Sequence, residues 1–263
     1  MNEVLNRYHE EGLVYKQVHP TLPLTIWNYS EKVQYENLWD DVTLQTRGMV
    51  TDDKGNVVAR PFRKFFNVEE DKHTPTGEFD VYAKMDGSLG ILFNYQGQWV
   101  MATRGSFTSD QALKGFFMLQ KYDFNKLHED YTYLFEIIYD DNRIVVKYDF
   151  EDLVLLGMVN TETGYEVDLH GEGVDVRFKN LINNLGFNVV KKYDGVRDYA
   201  ELKGIIKHDE EGFVVRFTNG QRMKIKGEEY LRLHKLMTNV STTSVWEMLS
   251  EDKDVLEILK DVP

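Results

Sequence analysis

Apolar positions along the chain follow two rhythms. Residues 2–11 space them at helical intervals and stop at Gly12, which predicts a short amphipathic helix. From about residue 13 to 104 the signal is that of strands, in runs such as LVYKQVH, MVTD, VVARPF, FDVYAKM, LGILFNY and QWVMATR. Turn signals separate them, and Asp53-Lys54-Gly55-Asn56 and Gln96-Gly97 read as hairpin turns. A helix is predicted over 108–122, capped by Thr108 or Ser109. Strands are expected at 131–139, 143–148 and 153–159, and helices at 173–185 and 196–207. A last hairpin, EGFVVRFT followed by QRMKIK, should close through a type I′ turn at Asn219-Gly220. Beyond Lys226 the rhythm is helical to the end. Many short strands with little strict strand–helix alternation indicate an α+β fold with antiparallel sheets, ahead of a doubly wound parallel one.

Composition narrows the chemistry. The 263 residues suffice for one large domain or two small ones. With 42% apolar and 29% charged residues the chain resembles an ordinary soluble protein. There is no cysteine, so disulfides, thiolate metal sites and a cysteine nucleophile are excluded. The charged start, MNEVLNRYHEEG, lacks the apolar core of a secretory signal, and no apolar run approaches the ~20 residues that span a bilayer. A cytoplasmic protein with no membrane partner is expected. The net charge of −13 excludes a uniformly basic nucleic-acid binder. It leaves room for a local basic cleft, since Arg60, Arg63 and Lys64 cluster, as do Arg222, Lys224, Lys226, Arg232 and Lys235. Phosphate-loop, dinucleotide-binding, zinc-protease, EF-hand and serine-elbow motifs are all missing.

One segment carries candidate chemistry, Lys84-Met85-Asp86-Gly87-Ser88, where one strand run turns into the next. A lysine at the mouth of such a turn is presented on a rigid element, as a nucleophile requires. Asp86 could reach the same ligand, and Gly87 permits the tight turn. Alone, the segment reads more readily as a plain hairpin with an exposed lysine.

Its surroundings decide between these. Thr46-Arg47-Gly48 comes first, then Arg60-Pro61-Phe62-Arg63-Lys64-Phe65-Phe66-Asn67. The Lys84 segment and Thr103-Arg104-Gly105-Ser106 follow, then Phe135-Glu136 and Asn142-Arg143-Ile144-Val145. Glu211-Gly212-Phe213-Val214-Val215 and Met223-Lys224-Ile225-Lys226 come last. In this order the motifs resemble the lysine-adenylylating nucleotidyltransferases, and among them the bacteriophage RNA ligase 1 family. The resemblance implies an antiparallel-sheet nucleotidyltransferase domain, the ATP-grasp-like catalytic domain of ligases. It implies that Lys84 attacks the α-phosphorus of ATP, that AMP passes to an RNA 5′-phosphate, and that a 3′-hydroxyl then seals the ends, as in RNA repair. Glu136 and Glu211 would contact the ribose and help hold the lysine or a metal. Lys224 and Lys226, alternating on a strand, would hold the α-phosphate. Tyr29, Arg47 and Lys64 would serve the nucleotide pocket, Asp86 the same ligand, and Arg104 the RNA. Phe66 either stacks on adenine or belongs to the core. ATP and Mg²⁺, with Mn²⁺ as a substitute, are the implied cofactors, and RNA ends the implied partners of a monomer. A phage origin is compatible with all of this.

The carboxy-terminal stretch departs from two relatives. DNA ligases and capping enzymes carry an OB-fold after this lysine pair, whereas 37 residues follow Lys226 here, too few for a five-stranded barrel. Residues 1–240 are therefore expected to form the adenylylation domain. Residues 241–263 would be a helical tail or the start of a further domain. Asp254 is the positional match for a metal-binding aspartate of the family. Two other readings stay open, a capping-type guanylyltransferase and a nucleotide- or RNA-binding module without activity.

Overall fold

The computed structural model describes residues 1–70, 77–170 and 176–239. Asp254 and the expected tail at 241–263 lie outside the described residues. The chain divides into two compact units. The first holds residues 1–65, 88–138 and 152–190, and the second holds 66–87, 139–151 and the chain from 191 onward. The α+β expectation holds, and among the described residues there is no barrel. No described helix is long and apolar enough to cross a membrane.

In the first unit, strands Val14–Val18, Leu24–Tyr29, Arg47–Asp52 and Val57–Ala59 form an antiparallel sheet in that order. A second sheet runs Glu166–Val167, Asp152–Asn160, Tyr131–Ile138, Ser88–Tyr95, Gln98–Ala102, with Asn188–Val189 added parallel to Asp152–Asn160. Leu24, Ile26, Val50 and Ala59 from the first sheet meet Ile91, Phe93, Val100 and Leu134 from the second in one core. Each large aliphatic side chain buried there contributes about 1.5–3 kcal/mol. Helix Asp110–Leu119, capped by Ser109, covers the other face of the second sheet. It lies so close that a Cβ at Gly115 would come 2.7 Å from Ile137 Cδ1.

The second unit has one sheet, ordered Lys192–Tyr193, Phe79–Lys84, Gly212–Phe217, Arg222–Lys226, Phe66–Asn67, the last strand parallel to its neighbour. Strand alternation gives its two faces different chemistry. Val81, Phe213, Val215, Met223 and Ile225 pack with Leu202 on one face. The row Lys84, Gly212, Lys226 and the position of Lys224 belong to the other. Helix Glu228–Asn239 inserts Tyr230 and Leu233 against Val145 and Val146.

Three local expectations change. The last hairpin is not type I′: Gly220 alone has a positive φ, +84°, and its N–H donates to Phe217 O. This is a three-residue loop with glycine in the left-handed position. The Asp53–Asn56 turn closes in the same way, with Gly55 at φ +85°. The two-residue turn with both φ positive occurs instead at Gln96-Gly97, at +52° and +83°. Residues 143–148 are not a strand. Their apolar side chains pack under helix Glu228–Asn239, and their N–H groups serve a carboxylate described below. At 196–207 only a 3₁₀ segment, Tyr199–Ile205, forms.

Gly212 is the glycine that the sheet of the second unit cannot replace. Its φ is +142°, and a Cβ there would run into the Ile225 carbonyl of the neighbouring strand. Gly220 has φ +84° and open space around it. Gly212→Ala should therefore cost at least ~3 kcal/mol, against about 1 kcal/mol for Gly220→Ala. Urea unfolding of both variants checks this, and equal losses would contradict the assigned contact.

Candidate active site

The second unit gathers the lysines. Phe79–Lys84 and Arg222–Lys226 flank Gly212–Phe217, and Gly212 is in register with both Lys84 and Lys226. The two lysines therefore stand on one face, one strand to either side of the centre. Glu211, just before Gly212, lies between them. Its Oε1 accepts from Lys84 Nζ at 2.9 Å and from Lys226 Nζ at 3.1 Å. The carboxylate is 3% exposed, the lysines 21% and 19%. A carboxylate this buried survives because two ammonium groups share it. Lys224 sits one step along the same face, opposite Val214 and Tyr82.

Asp86 does not have the expected role. It is 3% exposed and turned into the protein. Its Oδ2 accepts from Val145 N and Val146 N, both at 2.8 Å, and its Oδ1 from the Tyr230 hydroxyl at 2.8 Å. Its own N–H donates to Tyr148 Oη at 2.8 Å. Asp86 thus anchors the turn after Lys84 to the 139–151 segment and to the last described helix. Burying this carboxylate is tolerable because those three donors replace the water it loses. Phe66 is in register with Met223, on the core face, and Val68 two residues on packs against that core. Phe66 itself is half-buried.

Tyr230 and Tyr148 were not anticipated. The Tyr230 hydroxyl donates to Asp86 Oδ1, and Lys226 Nζ, which is paired with Glu211, lies 5.1 Å from its ring centroid. Burial first, and then the two carboxylates, push its pKa well above the ordinary tyrosine value. The sequence offered only a helical apolar period in which a tyrosine reads as core.

The first unit gathers a separate set. Trp27 pairs with Met49 and Asn28 with Arg47, so Gly48 is a bulge, with φ +93°. The bulge re-aims Arg47. A Cβ at Gly48 would meet the Ile91 side chain and the Arg104 carbonyl. Arg104 projects from the Thr103–Ser106 turn, which is closed by Thr103 N–H to Ser106 O at 2.9 Å. Lys64 is fixed by its N–H to Leu44 O at 2.8 Å. The three cations converge on Tyr29. Its ring lies 5.6 Å from Lys64 Nζ and 5.6 Å from the Arg104 guanidinium, and it packs edge-on to Trp39. Arg104 Nη1 donates to the Tyr29 hydroxyl at 3.5 Å, and Arg47 is near enough to interact electrostatically with the same side chain. Burial lowers the Arg47 pKa, Arg104 adds to this, and Tyr29 and Glu136 oppose it. Glu136 stands on the second sheet, on the same face as Leu134. Tyr29, Arg47, Lys64, Arg104 and Glu136 thus share one neighbourhood, which Trp39 joins unexpectedly. Arg60 does not belong to it, because its guanidinium is spent on the carbonyls of Thr161 and Glu162.

Removing the Asp86 carboxylate leaves two buried N–H groups and a buried hydroxyl without their acceptor. Asp86→Ala should destabilise by about 3–5 kcal/mol. A loss under ~1 kcal/mol in chemical denaturation would show that Asp86 does not anchor the turn.

Comparisons with known proteins place the chain in a family. The profile of a family described as RNA ligase matches residues 45–231. A protein of Autographa californica nuclear polyhedrosis virus, assigned as a bifunctional polynucleotide kinase/RNA ligase, is 29% identical over 251 residues, 80% of this chain and 35% of that one. An RNA ligase of Rhodothermus phage RM378 is 23% identical, over 80% of this chain and 64% of its own length. The chain thus spans less than two thirds of these relatives. Among solved structures, an archaeal ATP-dependent RNA ligase has the same fold, with a TM-score of 0.62 and 18% identity over 88% of this chain and 62% of that one. The family profile covers more than half of the sequence, including Lys84, Glu211 and both lysines of the last strand, and the chain belongs to the RNA ligase family.

Proposed function

We propose that this chain carries the self-adenylylating activity of an ATP-dependent RNA ligase, which joins 5′-phosphate to 3′-hydroxyl RNA ends through lysyl-AMP and RNA-adenylate. One observation carries the reading: two lysine amines, Lys84 and Lys226, meet on one buried carboxylate. Lys84, on the turn, is the nucleophile. Lys226 and Lys224 neutralise the α-phosphate. Phosphoryl transfer asks chiefly for such positioning and charge cancellation. Glu211 fixes the direction of the Lys84 amine.

In the first unit, Arg47, Lys64 and Arg104 offer three positive charges, and Tyr29 and Trp39 offer ring faces. Such a surface suits phosphates and bases. The donor set also fits magnesium, or manganese in its place. Among the described residues no three His, Asp or Glu side chains gather into a metal cage. Magnesium keeps several waters and takes few carboxylates when it arrives with a triphosphate. A carboxylate such as Glu136 would hold it there, and it would supply further charge cancellation on the phosphates.

Incubation with labelled ATP and a divalent cation, followed by denaturing electrophoresis, tests the reading. A covalent label should form with ATP and not with GTP, and both Lys84→Ala and Lys84→Arg should abolish it, since a guanidinium stays protonated. Glu211→Ala should slow labelling about 10²–10³-fold. A label that persists in the Lys84 variants, or AMP found on another lysine by peptide mass analysis, overturns the assignment.

The two steps should also differ in salt dependence. Each single-strand phosphate neutralised adds about −0.7 to the log–log slope of RNA binding. Joining should therefore fall steeply across a salt series and adenylylation much less. Equal slopes would contradict recognition through the phosphate backbone.

A further inference from the structure

Tyr230 has one hydroxyl proton and two buried carboxylates within reach. In the structure it donates to Asp86 Oδ1 at 2.8 Å, and Glu211 is its neighbour through Lys226, whose Nζ lies 3.1 Å from Glu211 Oε1 and 5.1 Å from the Tyr230 ring centroid. Asp86 does not depend on it alone, because Val145 N and Val146 N both donate to Oδ2. Glu211 is balanced by Lys84 and Lys226.

Adenylylation upsets that balance. As Lys84 Nζ bonds to the α-phosphorus, the bond from phosphorus to the bridging oxygen breaks, and pyrophosphate leaves with the electron pair. The Lys84 ammonium sheds one proton before attack and one after, both to solvent. Lys84 then carries no positive charge, and the 3%-exposed Glu211 carboxylate keeps only Lys226 as a cation partner. A buried carboxylate that loses a partner is costly unless another donor replaces it.

We propose that Tyr230 is that donor: its hydroxyl turns from Asp86 to Glu211 when Lys84 becomes adenylylated, so that it acts as a positioning residue stabilising the covalent intermediate. Asp86 tolerates the change because its two backbone donors remain. Lys226, stacked over the Tyr230 ring at 5.1 Å, stays in place on Glu211 through the exchange. This inference rests on the adenylylation proposed above.

The test is the equilibrium between free and adenylylated protein at fixed ratios of ATP to pyrophosphate, measured for the wild-type chain and for Tyr230→Phe. A residue with a purely structural role affects both forms alike and leaves the ratio unchanged. The proposal expects Tyr230→Phe to lower the adenylylated fraction relative to free protein several-fold, because the bond lost in the adduct, to a carboxylate left with one cation, is worth more than the bond lost in the free protein, to a carboxylate that keeps two backbone donors. An unchanged ratio, or one shifted toward the adduct, overturns it. Should Tyr230→Phe fail to fold, a fluorinated tyrosine at position 230 keeps the hydroxyl and makes it a stronger donor. It should raise the adenylylated fraction, and no change there also overturns the proposal. If the wild-type chain forms no adduct with ATP, the adenylylation reading itself fails, an outcome distinct from either result with the variants.

Discussion

A carboxylate shut away from water between two ammonium groups constrains everything around it. Glu211 costs several kcal/mol to bury alone, and only Lys84 and Lys226 at about 3 Å make it tolerable. For both amines to reach one oxygen, their strands must lie on either side of the Glu211 strand, in a fixed register. That register centres on Gly212, where a side chain would strike the next strand's backbone. The need for glycine after the glutamate, and for lysine at two strand ends, follows from one electrostatic requirement. The core face of the same sheet, from Val81 to Ile225, supplies the rigidity that holds the register.

A second buried carboxylate, Asp86, does the corresponding job for the turn. It converts the N–H groups of Val145 and Val146 and the hydroxyl of Tyr230 into a clamp beneath Lys84. Lys84 is thus held twice, its amine by the ion pair and its turn by hydrogen bonds. Through its bond to Asp86, Tyr230 couples the last described helix to that turn.

Much of this was legible in the residues. Alternation marked Lys224 and Lys226 as one face, the order of motifs singled out Lys84 and Glu211, and the strand runs anticipated most of the sheets. What stayed hidden depended on contacts distant in sequence. A β-rich run such as Ile144–Tyr148 looks like a strand until Asp86 claims its N–H groups. Asp86 looks like a ligand contact because its position beside Lys84 says nothing of which way it turns. Phe66 changes face with a one-residue change in the register of a two-residue strand. Asn219-Gly220 matches a type I′ turn by composition, but the loop holds one residue more and only Gly220 needs a positive φ. Tyr230 is indistinguishable from a core tyrosine without Glu211 and Asp86 beside it.

The central claim is that Glu211 organises both lysine amines. Lysine side chains labelled with ¹⁵N report on it directly, because an ammonium group held by a buried carboxylate exchanges slowly with water and gives a sharp signal. The wild-type chain should show two such signals, assigned to Lys84 and Lys226 by substitution, and Glu211→Gln should abolish both while the fold persists. Two signals that survive in Glu211→Gln, or the absence of any protected ammonium in the wild-type chain, would contradict the account.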